Sequence, residues 1–92
     1  MKLKPTTRVK RSRRVIFKEV DGVVYILDPR NSTIYTLNET ASFIWQSLKT
    51  PRSIKELISL LTKSFKVGKV KAKTDLEDFI SQYLEEELLT LG

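Results

Sequence analysis

The stretch S-T-I-Y-T-L-N-E-T-A-S-F-I-W, residues 32–45, constrains this chain more than any other, because a run built for a strand passes directly into a run built for a helix. Thr33 to Leu37 alternates β-branched, aromatic and apolar side chains, the pattern of a half-buried strand. Asn38 then offers a side-chain oxygen to the orphan N–H groups of a first helical turn, and Ala41, Ile44, Trp45 and Leu48 follow at helical spacing. Thr33, Tyr35 and Leu37 share one face of that strand and Ile34 and Thr36 the other, so one set alone can meet the helices. Tyr35, Leu37 and Trp45 are read as packing inward. The strand has little but helices after it, which predicts an unpaired sheet edge able to take an extended peptide by backbone pairing.

Upstream, Val15 to Val20 and Val23 to Leu27 read as two strands joined by Asp21-Gly22, a tight hairpin signal. Asp28-Pro29-Arg30-Asn31-Ser32 makes a longer turn. Pro29 cannot join a ladder, Asn31 tolerates left-handed geometry, and the Asp28 carboxylate is expected to bond local backbone N–H groups. Downstream, Thr50-Pro51 ends the first helix. Ser53 with Glu56 forms a capping box for a second, striped by Ile54, Leu57, Ile58, Leu61 and Phe65. Gly68 closes it. Val67 to Lys73 is expected to be a lysine-rich connector, with Thr74 and Glu77 capping a third helix striped by Leu76, Phe79, Ile80, Tyr83, Leu84 and Leu88. That apolar set is wider than a single packing seam, so part of it is free to line a groove. The fold class is therefore α+β and winged-helix-like, a three-stranded antiparallel sheet followed by three helices.

Charge divides the chain. Seven of its 17 cationic side chains, Lys2, Lys4, Arg8, Lys10, Arg11, Arg13 and Arg14, fall within residues 1–14 with no acid among them, and the remaining ten are met by 11 acids. Residues 1–14, with Leu3 and Val9 as their apolar content beyond Met1, are expected to form a flexible basic arm, and residues 15–92 the folded domain. Lys63, Lys66, Lys69, Lys71 and Lys73 make a second basic stretch, read as a solvated connector or as a landing surface for an acidic partner. Glu85-Glu86-Glu87 opposes the dipole at its helix end and is read as a solvated face.

The chain contains neither cysteine nor histidine. Disulfides, thiolate chemistry, imidazole acid–base work and the usual transition-metal ligands are thereby excluded. No cofactor is expected, no run of apolar residues approaches a membrane span, and the default location is the cytoplasm.

The motif D-P-x-x-x-x-x-Y-x-L-N, with tryptophan seven residues after the asparagine, then T-P-x-S-I-x-E-L and a C-terminal amphipathic helix, resembles the PqqD-like family of small peptide-binding domains, also called RiPP recognition elements. The matching residues are Asp28, Pro29, Tyr35, Leu37, Asn38, Trp45, Pro51, Ser53, Ile54, Glu56 and Leu57, with Asp75, Phe79 and Leu84 on the last helix. The resemblance covers about residues 15–91 and implies a non-catalytic module, not an enzyme. Such a module binds the leader segment of a ribosomally made precursor peptide, which adds as a strand and lies against the third helix. The edge would be Ser32, Thr33, Ile34, Tyr35, Thr36 and Leu37, and the groove wall Leu76, Phe79, Ile80 and Tyr83. The implied partners are the precursor and a modifying enzyme such as a radical SAM maturase, a cyclase or a leader protease. A free edge also admits pairing with a second copy. The competing reading is a DNA-binding winged helix using the basic arm, although the second helix exposes Lys55, Ser59, Thr62 and Lys63 with no arginine, asparagine or glutamine for bidentate base reading.

Overall fold

A computed structural model describes residues 3–92; Met1 and Lys2 of the expected arm lie outside the described residues. The expected sheet is present, built from β2 (Ile16–Val20), β3 (Val23–Asp28) and β4 (Thr33–Thr36), all antiparallel in the order β2-β3-β4. Asp21 (φ 51°) and Gly22 (φ 81°) both adopt positive φ, as the two-residue hairpin requires, and Val20 pairs with Val23 across it. In the second turn the left-handed residue is Ser32 (φ 55°), not Asn31. The Asn31 carboxamide instead accepts the Thr33 N–H at 3.0 Å, so the asparagine sets the turn through its side chain.

Helix α1 (Glu39–Ser47) starts where expected, with the Ala41 N–H donating to Asn38 Oδ1 at 2.8 Å. Helix α2 (Ile54–Phe65) carries both halves of its capping box, each at 3.1 Å. Helix α3 (Lys69–Glu85) begins five residues before the expected Thr74 cap. Gly68 takes the N-cap position without a side-chain bond, and the Thr74 hydroxyl donates to the Val70 carbonyl inside the helix. The supposed connector is helical because Ala72 packs into the core and lysine is a good helix former, so only Lys66, in left-handed geometry (φ 49°), and its successors separate α2 from α3.

The main departure from the expected arm lies at residues 8–11. Arg8–Arg11 form a strand, β1, at the centre of a second antiparallel sheet of order β5-β1-β6, between β5 (Arg52–Ser53) and β6 (Leu89–Leu91). Val9 is fully buried and Leu3 nearly so: the segment's two apolar residues are enough to dock it once a ladder satisfies its backbone. Arg11 completes the attachment. Its guanidinium donates twice to the Trp45 carbonyl, at 3.0 and 2.5 Å, near the C-terminal end of α1, where a cation suits the helix dipole, and it lies 4.6 Å from the Phe17 ring centroid. Burial lowers the Arg11 pKa without threatening its charge.

Both sheets and the three helices share one core, centred on Trp45, Ile26, Leu37, Leu57, Leu76 and Ile80. Phe43 of α1 meets Phe65 of α2 edge-on at 5.2 Å. Among the described residues no helix is long and apolar enough to cross a membrane.

Candidate functional site: an open strand edge beside an aromatic groove

Among the described residues strand β4 pairs with β3 on one side and with no other strand, so its far side is an open edge. Which backbone groups lie on that edge follows from parity. The Leu37 N–H donates to the Val24 carbonyl at 2.9 Å, so Leu37 belongs to the inward-bonding set, and Tyr35 and Thr33 share its orientation. The N–H and C=O groups of Ile34 and Thr36 therefore point outward. At the strand's end the Ser42 hydroxyl accepts the Val24 N–H at 3.0 Å and donates to the Leu37 carbonyl at 3.1 Å. This bridge from α1 fastens the strand-to-helix junction, which explains a fully buried serine.

Beside the edge lies a groove of about 440 Å³ between the β4–α1 junction and α3. Thr36, Leu37, Asn38, Thr40, Ala41 and Ile44 form one wall; Asp75, Asp78, Phe79, Gln82 and Tyr83 form the other. Phe79 and Tyr83 stack at 4.2 Å between ring centroids, and Tyr35 extends the aromatic surface with its centroid 6.2 Å from that of Tyr83. Burial raises the pKa of both phenols, with Glu86 adding to the effect at Tyr35, so both stay neutral and able to donate.

The ten residues expected at the site divide by position. Thr33 to Thr36 make the edge strand, Ser32 sits in the preceding turn, and Leu37 is buried just past the strand. Phe79 and Tyr83 line the groove. Leu76 and Ile80 do not, since both are fully buried in the core. Ile34 projects from the opposite face of the sheet, 66% exposed, and contributes to the edge through its backbone alone. Missed in the sequence were the α1 wall residues Asn38, Thr40, Ala41 and Ile44 and, on α3, the polar ones. Asp75, Asp78 and Gln82 recur at three- and four-residue steps beside Phe79, a face that helical spacing alone could have revealed.

The groove end nearest the start of β4 is braced by charge. Asp28, whose side chain is completely buried, accepts the Arg30 backbone N–H at 3.0 Å and the Arg30 guanidinium at 3.2 Å, with Arg14 at 3.9 Å. Arg30 also pairs with Glu87, and the Arg14 guanidinium donates to the Glu87 carbonyl at 2.6 Å. The Tyr35 hydroxyl donates to Glu86 at 3.0 Å. Glu86 and Glu87 are therefore not a merely solvated run. The helix ends at Glu85 and Glu87 turns left-handed (φ 60°), which swings these carboxylates out of the unfavourable dipole and onto the β3–β4 turn.

The Arg30 side chain holds the Asp28 carboxyl below its ordinary range against the opposing effect of burial, and the same guanidinium lowers Glu87. Carboxyls depressed in the folded state contribute stability above their unfolded values and lose it as pH falls through the folded ones. Thermal unfolding followed by circular dichroism should accordingly show a midpoint that drops on acidification through and below the carboxylate range. Asp28→Asn should lower the midpoint by several degrees at neutral pH and flatten this acid dependence.

Three comparisons place this geometry among known proteins. A family model described as coenzyme PQQ synthesis protein D (PqqD) matches residues 24–89. A solved structure, TbiB1 in complex with the TbiA(beta) leader peptide, is 26% identical and superposes with a TM-score of 0.81 over 87% of this chain and 93% of its own. A lasso peptide synthetase B1 complexed with its leader peptide, 22% identical, shares the fold with a TM-score of 0.78 over 89% of this chain and 96% of its own. No functionally curated protein sequence matches the chain.

Proposed function

The chain belongs to the PqqD family, and from that premise and the open edge of β4 we propose that it is a non-catalytic module that captures the leader segment of a ribosomally synthesised precursor peptide by strand addition. The observation that carries the proposal is the pair of outward-facing backbone positions, Ile34 and Thr36, set beside an aromatic groove. Backbone bonds supply affinity that tolerates sequence variation, and alternate guest side chains entering the groove supply selection. The TbiB1 and B1 structures, both described as leader-peptide complexes, support the same role here. The module then presents the captured precursor to an enzyme that cleaves or modifies it, such as a leader protease, a cyclase or a radical SAM maturase.

The DNA-binding alternative gains nothing from these relatives, and three cations of the basic segment are spent internally, Arg8 on the Pro51 carbonyl, Arg11 on the end of α1 and Arg14 on the Asp28 brace. An amide NMR titration of labelled protein with the leader of the precursor encoded beside its gene, with duplex DNA as control, tests the reading. Shifts concentrated in residues 32–37 and 75–83 are expected. Shifts confined to residues 3–14 and α2, and seen only with DNA, would overturn it.

A further inference from the structure

The groove's electrostatics run against those of the molecule. The chain carries a net charge of +6, yet among the described residues no lysine or arginine lines the groove, and the charged side chains in its wall are Asp75 and Asp78. Both lie on the same face of α3 as the Phe79–Tyr83 stack, and Asp75 also borders Thr40 of α1. Asp75 is half-buried and bound to Lys71 at 3.2 Å, one turn back along the helix. Asp78 is exposed and has no ion-pair partner among the described residues.

Of the other acids on or just after α3, Glu77 and Glu85 do not line the groove, Glu86 accepts the Tyr35 hydroxyl and Glu87 pairs with Arg30. Lys4, Arg8 and Lys10 belong to the segment of the other sheet. Salt screens exposed charges beyond about 8 Å, so a guest lying in the groove responds to the carboxylates beside it more than to the net charge of the chain.

Resting on the leader-binding reading above, we infer that the groove selects a guest strand carrying a lysine or arginine where it passes Asp78, its aliphatic stem on the Phe79–Tyr83 surface and its cation against the Asp78 carboxylate. A long cationic side chain satisfies both halves of that wall at once, since its methylenes cover apolar surface while its head reaches a carboxylate. An aspartate or glutamate at the same guest position meets the unpaired Asp78 carboxylate, the Lys71 cation being already taken by Asp75. Asp78 is thereby a specificity-determining residue, and the leaders this module accepts form a cationic–apolar class.

The test is fluorescence anisotropy with a synthetic scan of the leader encoded beside the gene, each position made in turn lysine, glutamine and glutamate. Over one short stretch, lysine should bind about fivefold more tightly than glutamine and glutamate about fivefold more weakly, differences that shrink with added salt. In Asp78→Lys the order should reverse over that same stretch, and in Asp78→Asn it should flatten. Asp78 is exposed, and unchanged melting of both variants would confirm that the fold is retained. Binding that persists with no position preferring lysine to glutamate, or a preference that Asp78→Lys leaves intact, would overturn the inference while sparing the leader-binding reading. Absence of binding by every peptide in the scan would overturn that reading, and the inference with it.

Discussion

Thr36→Pro should reduce leader affinity by about a hundredfold while leaving the thermal midpoint close to that of the parent protein. Three effects add. Proline removes the N–H that would meet the guest's carbonyl, strands that carbonyl in the interface, and places its ring where the guest backbone must approach. None of these touches the ladder with β3, because the Leu37-to-Val24 bond fixes Thr36 as an outward-facing residue. Proline is tolerated on the open side of an edge strand, and the extended geometry it imposes on Tyr35 is one that a strand already has. The matching control is Tyr35→Pro, where the lost N–H is one that bonds Ile26, and the protein should melt at a clearly lower temperature. Anisotropy and circular dichroism on the two variants separate the edge from the ladder. Equal destabilisation by both would mean that the register is wrong.

Ile80→Asp should unfold the domain outright. The side chain is fully buried among Leu76, Trp45 and their neighbours in the core, so the change removes apolar burial and strands a carboxyl with no partner. Losses of this kind come to about 4–6 kcal/mol, as large as the whole stability of a small domain at the low end of the usual range, about 5 kcal/mol. Collapsed amide dispersion in an NMR spectrum and a missing cooperative melt are the expected readouts. The neighbouring groove-wall position behaves oppositely, since Asp78 is exposed and its substitution should change binding without changing the melt. A well-folded Ile80→Asp variant with weakened peptide binding would instead assign Ile80 to the groove.

The parts of the fold legible in sequence are those specified by neighbours along the chain. The Asp21-Gly22 hairpin, the Asn38 cap and the Ser53/Glu56 capping box each depend on a few consecutive residues, and each appears where the residue types demand it. The second sheet depends on residues far apart. Arg-Val-Lys-Arg offers one apolar side chain, and nothing local reveals that Val9 will meet Arg52 on one side and Leu91 on the other. Leu89–Leu91, three residues long, is too short to show strand periodicity at all.

The site divides in the same way. Tyr35, Phe79 and Tyr83 were legible as aromatic residues on elements with more apolar surface than one seam could bury. Helical periodicity could not say which of Phe79 and Ile80 faced outward, because residues one step apart on a helix point about 100° apart and the choice depends on where β4 lies. The partners of Arg11 and Arg14 are illegible in sequence for the same reason: a cation's partner, here the Trp45 carbonyl or the Asp28 brace, is set by the tertiary fold and not by the run of charge in which it occurs.

The placement of β1 also bears on how the molecule is made. A central strand at residues 8–11 emerges early from the ribosome but can find neither of its flanking strands until residues 52–53 and then 89–91 have followed it. Pairings so distant in sequence close late, because loop entropy must be overcome before they are rewarded. The β2-β3-β4 meander, whose contacts are all local, can form while synthesis continues. The edge of β4 is thus exposed on the nascent chain before the second sheet closes and stays open afterwards, so extended segments nearby, including those of the same polysome, compete for it from the start of folding.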